Sequence, residues 1–154
     1  MCADQFDRWV LLTASLALAI GGLVYLWDRA PGSTLLLPAY VGRAVGAPSV
    51  FGWLGGSLPS FTHSFAFALL STLILGRSRR ALVLGCGAWW AIDSLFEIGQ
   101  QATVRTHLVP WLPAPLGDYF AHGTFDYLDL LPITLGAVAA ASLFCFILLR
   151  ESSR

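Results

Sequence analysis

His63, Asp93, Glu97, Asp126 and Asp129 are ionisable residues set within or beside long apolar stretches. In a bilayer each such residue costs roughly 2.5–3.5 kcal/mol on insertion scales, so it needs a partner, a ligand or a proton to carry. Asp93 and Glu97 are four residues apart, Glu97 and Gln100 three, and Asp126 and Asp129 three. On a helix each of these pairs shares a face. Several carboxylates gathered in low dielectric cannot all stay charged; some are protonated, paired with Arg, or bound to a cation. His63, Glu97, Asp126 and Asp129 are therefore the candidate catalytic residues, with a carboxylate and a histidine available for general acid–base work. Asp93, Gln100, Arg105 and His122 are candidate ligand-binding groups around them.

A structural role competes with each of these assignments. His63 or Asp93 could make one helix–helix hydrogen bond. Asp126 could cap a helix, a position that Asp favours. Gln100 and Arg105 could simply be partners of Glu97. Glu97 is hardest to explain structurally, because Gln would bond equally well without the charge. His107 and Asp118 read as ordinary loop residues. Histidine with carboxylates suits Zn²⁺ or Mn²⁺. That reading needs His63, Glu97 and Asp129 to meet across three helices, and no HExxH spacing is present. No metal is assigned, and no cofactor is indicated.

These residues are carried by four stretches of the length a bilayer requires, about 20 apolar residues each. They run from about 9 to 27, 58 to 76, 81 to 99 and 125 to 149. The predicted class is all-α: a polytopic bundle of four transmembrane helices with long interfacial outer loops, in one membrane domain over residues 1–154. Of the 154 residues, 56% are hydrophobic and only 12% charged; mean hydropathy is +0.70. Soluble domains carry about a quarter charged residues. Net charge is zero and there is no basic tail, so no nucleic-acid partner is expected. Gly21-Gly22, Gly85 with Gly87, and Gly136 with Ala140 offer small residues for close helix packing. Cys2, Cys86 and Cys145 have no metal-ligand spacing, and the last two read as small apolar filler. The first span, preceded by Asp4, Asp7 and Arg8, reads as a retained helix rather than a cleaved signal.

Arg77-Ser78-Arg79-Arg80 is the most positive short loop, which predicts a cytoplasmic location for it and for both termini; Arg150 and Arg154 agree. The connections at about 28–57 and 100–124 then face outward, and all the polar candidates lie towards that side. The inner halves of the spans carry almost nothing ionisable. Leu35-Leu36-Leu37-Pro38 and Val109-Pro110-Trp111-Leu112-Pro113 are too apolar for solvated loops and are expected at the membrane interface.

Leu58-Pro59-Ser60-Phe61-Thr62-His63-Ser64-Phe65-Ala66-Phe67, then Phe96-Glu97-Ile98-Gly99-Gln100, then Asp126 to Gly136 resemble the VanZ-like membrane proteins. That family has a histidine opening one span, a Glu-x-x-Gln closing the next, a nearby Arg, and an Asp followed by a Gly on the last. On this resemblance His63, Glu97, Gln100, Arg105, Asp129 and Gly136 take the family positions, over residues 58–140. The chain looks like a divergent member. Pro132 or Ile133 stands where the family has Asn, Asp126 is additional, and the segment after Gln100 is longer. The resemblance implies a cell-envelope protein and a link to resistance against lipoglycopeptide antibiotics of the teicoplanin type.

The functional expectation is a multi-pass cell-membrane protein that binds or processes a membrane lipid or lipid-linked amphiphile at the outer face. Enzymatic activity stays open, as does association in a homo-oligomer or with another membrane protein. The alternatives are a structural or assembly subunit of a membrane complex, a membrane-embedded metal-dependent hydrolase, and a transporter. The last lacks a polar path through the inner half of the membrane.

Overall fold

The computed structural model describes residues 3–29, 42–43 and 46–152. Cys2, Arg154 and the Leu35–Pro38 stretch lie outside the described residues. Helix α1 runs over Ala3–Trp27, α2 over Leu54–Leu75, α3 over Arg79–Gly99, α4 over Ala102–Leu108, α5 over Ala114–His122 and α6 over Leu130–Ser152. Four of these are long and apolar enough to cross a membrane: Gln5–Trp27, Leu54–Leu75, Arg79–Gly99 and the segment Tyr127–Leu149 that contains most of α6. The fold is an all-α four-helix membrane bundle, and the chain is a multi-pass membrane protein. The spans agree with the sequence-based ranges to within four residues.

Helix α2 is the hub, packed against α1, α3 and α6. Its neighbours reach it through glycine. At Gly136 of α6, a Cβ would sit 2.5 Å from the Phe61 carbonyl oxygen and 3.1 Å from the Phe65 nitrogen. At Gly85 of α3 it would sit 3.1 Å from the Ala68 carbonyl oxygen. Gly21 of α1 lies against Thr62, whereas its neighbour Gly22 meets nothing within 4 Å. Without a hydrophobic force between helices in lipid, such backbone approaches supply the packing energy.

One half of the bundle is apolar inside. Phe6, Val10, Ala68, Leu69, Leu82, Ala140, Phe144 and Ile147 form its core, with Phe6 edge-on to Phe144 at 5.4 Å. The buried threonine hydroxyls are satisfied within their own helix: Thr62 donates to Leu58 O at 2.9 Å and Thr72 to Leu69 O at 2.7 Å; the buried hydroxyls of Ser64 and Ser94 have no partner among the described residues. The outside is equally apolar. Leu12, Leu16, Val83, Leu84, Leu131 and Val138 are more than half exposed, a surface suited to acyl chains rather than water.

Arg77, at the turn after α2, donates through Nε to Asp7 of α1 at 2.9 Å and pairs with it through a second nitrogen. The start of α1, the end of α2 and the start of α3 therefore share one end of the bundle. Ser78 caps α3 there, its hydroxyl accepting from Ala81 N at 3.1 Å. At the opposite end, Asp28 holds the entry to α2. Its carboxylate accepts from the Ser49 hydroxyl at 2.6 Å, Val50 N at 2.6 Å and Phe51 N at 2.9 Å. Burial works against this carboxylate's charge, but the three donors and the nearby Arg43 outweigh it and hold its pKa below the ordinary range.

The 100–124 connection is more ordered than its loop-like composition suggests. It folds into α4, a 3₁₀ turn over Val109–Trp111, and α5. Pro113 and Pro115 frame the start of α5, where Pro is tolerated.

Candidate functional site

The polar candidates occupy the end of the bundle that Asp28 organises, and they divide into two groups. The first is a pair. His63 Nδ1 lies 2.8 Å from Asp93 Oδ1, joining α2 to α3. With the carboxylate as acceptor, Nδ1 carries the proton and Nε2 of the neutral ring is the free acceptor. The His63 side chain is 45% exposed and that of Asp93 only 11%, so the acid is sheltered and the base reachable. The imidazole packs against Phe67, at 4.5 Å between ring centres, and edge-on to Trp89 at 5.5 Å. Trp89 is fixed in turn by its Nε1 donating to Ser71 at 2.9 Å. The second oxygen of Asp93 is buried and has no hydrogen-bond partner among the described residues.

The second group surrounds Glu97, which is buried on the next turn of α3. Its Oε1 accepts from Asp126 N at 3.3 Å. Asp129, Asp126 and the guanidinium of Arg29 lie within its electrostatic reach. The acids sit here because the chain turns here. Asp126 caps the 3₁₀ turn Tyr127–Asp129, accepting from Leu128 N at 2.9 Å. That turn leads into α6 at Leu130. Asp126 thus caps the 3₁₀ turn rather than the fourth spanning helix itself, and Asp129 stands at the last residue before that helix. His63 makes its close contact with Asp93 rather than with Glu97 or Asp129. Among the described residues no three His, Cys, Asp or Glu side chains converge closely enough to hold a metal ion.

Tyr119 of α5 links the polar end to an apolar groove. Its hydroxyl accepts from Gln100 Nε2 at 3.2 Å. Its ring packs on Phe96 and Phe120, at 6.0 and 5.2 Å between centres. Burial, reinforced by Tyr25 and Glu97, pushes its pKa up to about 12, so it is a neutral phenol throughout the physiological range. Phe120 lies so close to Gly99 that a Cβ there would meet its ring at 2.5 Å. Behind this aromatic wall, α3, α4 and α5 enclose a groove of about 380 Å³ lined by Leu95, Phe96, Ile98, Val104, Leu108, Leu112, Leu116 and Phe120 with Gly99.

The other candidates hold the α4–α5 segment together. Arg105 donates to the carbonyls of Ala121 at 3.3 Å and Gly123 at 3.1 Å, tying α4 to the end of α5; a cation there also suits the helix dipole. His122 is exposed and its Nδ1 lies 2.9 Å from Asp118 O on its own helix; its bond is local rather than to Asp126. Sequence reasoning did not single out Tyr119 or Arg29 as site residues. Tyr119 sits in a segment whose composition reads as loop, and Arg29 follows directly on the first span. No protein-family model, curated protein or solved structure matches the chain.

Proposed function

We propose that the protein is an envelope membrane protein of the VanZ-like kind that binds an amphiphile at the outer face of the cell membrane. Both termini lie in the cytoplasm, following the basic Arg77–Arg80 loop. The observation that carries this reading is the junction at Tyr119. An apolar groove of about 380 Å³ is lined by Phe96 and Phe120, both packed on Tyr119, and Tyr119 in turn lies within electrostatic reach of Glu97, Arg29 and Asp93. A groove of that size and composition suits an acyl or other apolar tail. The polar groups suit the head, which would meet His63, Asp93, Glu97 and Arg29 where water is scarce and their interactions strong. Processing of the ligand would fall to His63, whose Nε2 is a reachable proton acceptor oriented by Asp93. On the VanZ-like resemblance, this binding would be linked to resistance against lipoglycopeptide antibiotics of the teicoplanin type.

The test is purification in a mild detergent, followed by mass spectrometry of bound lipids and comparison with Glu97→Gln and His63→Ala. A specific amphiphile recovered from the wild type and depleted at least several-fold in either folded variant is the expected result. Recovery of bulk lipid alone, in the same proportions from all three proteins, would sink the reading.

A further inference from the structure

A second cavity opens at the same end of the bundle, on the α1–α2 side. It has a volume of about 240 Å³ and is lined by Asp28, Arg29, Arg43, Ser49 and the glycines Gly52, Gly55 and Gly56. Two guanidiniums line it, with ten nitrogen-bound hydrogens between them that are not on the backbone. Among the described residues their hydrogen bonding is sparse, and Arg29 also lies over the Tyr25 ring at 5.9 Å. Arg29 makes one long bond, from Nη2 to Gly56 O at 3.4 Å, and its Nε is buried without a partner among the described residues. Neither arginine forms an ion pair with a carboxylate among those residues. Asp28, the acid in the wall, is already engaged by three donors. It is therefore part of the frame; Arg43 lies within its electrostatic reach but forms no ion pair with it.

We infer that this cavity is an oxyanion site that takes a phosphate group through Arg29 and Arg43. Two arginines and one aspartate leave the cavity with one net positive charge, which matches a phosphodiester with its single negative charge. Guanidinium is the side chain best matched to phosphate oxygens, because its planar fork donates in pairs. The glycines leave the wall without side chains, so the group can come close to the backbone. The start of α2 lies beside the cavity, with no acid in its own first turn, and the Asp28 carboxylate already stands against Gly55 there. Arg29 also lies within electrostatic reach of Glu97 and Asp129, and so connects this cavity to the head-group cluster. The inference rests on the amphiphile reading only in naming that ligand's head as phosphate-bearing; the oxyanion site itself stands on the cavity and the arginines.

The experiment titrates the full chain in neutral detergent with three probes: dioctanoylphosphatidylglycerol, dioctanoylglycerol and inorganic phosphate. Binding is read by calorimetry in wild type, Arg43→Gln and Arg43→Lys, with circular dichroism verifying the fold. The phosphate-bearing lipid should bind, with affinity about tenfold lower in Arg43→Gln and partly restored in Arg43→Lys; tenfold corresponds to about 1.4 kcal/mol. Arg43-dependent binding of inorganic phosphate alone also supports the oxyanion site, assigns it to a free anion, and counts against the amphiphile reading. Equal binding of the two lipids, unaffected by Arg43→Gln, overturns the oxyanion site while leaving the amphiphile reading intact. Absence of Arg43-dependent binding for both phosphate probes overturns it outright.

Discussion

Replacing Gly136 with alanine tests the close approach of α6 to α2. The added Cβ would lie 2.5 Å from the Phe61 carbonyl oxygen, 3.1 Å from Phe65 N and 3.2 Å from Ser64 Cβ. Ordinary contact begins at 3.4 Å, so α6 must move from α2 by about 0.9 Å. The nearest atoms are backbone, which cannot rotate aside. Overpacking of this kind costs about 1–3 kcal/mol. Alanine's better helix propensity returns up to about 1 kcal/mol, leaving a net loss of about 0–2 kcal/mol against wild type and about 1–3 kcal/mol against a glycine-to-alanine change without the clash. Gly22→Ala and Gly87→Ala are the controls, because a Cβ at either position meets nothing within 4 Å. They keep the propensity gain without the clash and should be neutral or slightly stabilising. The assay is reversible unfolding in mixed micelles, titrated with a denaturing detergent and followed by circular dichroism. If Gly136→Ala proves as stable as Gly87→Ala, then α2 and α6 do not approach as described and the argument for a glycine-mediated hub fails.

Three further outcomes follow from the polar contacts. Asp28 has a lowered pKa, so its contribution is present above the ordinary aspartate range and is lost as pH falls through the lowered value. Melting curves at decreasing pH should show an acid-side loss in wild type that is absent in Asp28→Asn, and at neutral pH that variant should exchange the Val50 and Phe51 amides faster. Tyr119 has its pKa raised from 10.0 to about 12, so its stabilising contribution is complete below pH 10 and disappears as pH rises towards 12. Tyrosinate absorbance should therefore show a late-titrating component that Tyr119→Phe diminishes. Arg77→Ala breaks a pair whose side chains are each 36% exposed; exposed pairs are worth about 0–1 kcal/mol, and added salt should shrink the difference from wild type.

The four spans are legible in the sequence because membrane insertion is a property of each segment alone. About 20 apolar residues suffice, whatever their neighbours. The concentration of acids and histidine at one end is legible for the same reason, since depth follows from position along a span. The helices α4 and α5 are harder to see. They are short, interrupted by Pro110, Pro113 and Pro115, and depend on Arg105 and on the Phe96, Tyr119 and Phe120 contacts to form.

Which side chains meet is a different kind of fact. Residue spacing puts Asp93 and Glu97 on one face of α3, yet Asp93 bonds His63 while Glu97 accepts from the backbone at Asp126. The rotation of α2 against α3 decides this, and that rotation is fixed by Gly85 resting on Ala68 and Ser71. Asp28 and Arg29 are adjacent, but one is consumed in holding residues 49–51 and the other is left with open donors. Gly21 and Gly22 are identical in type, and one carries a helix contact while the other faces open space. Hydropathy is summed along a segment and survives without coordinates. A contact depends on the azimuth of two helices at once, and only the packed bundle defines it.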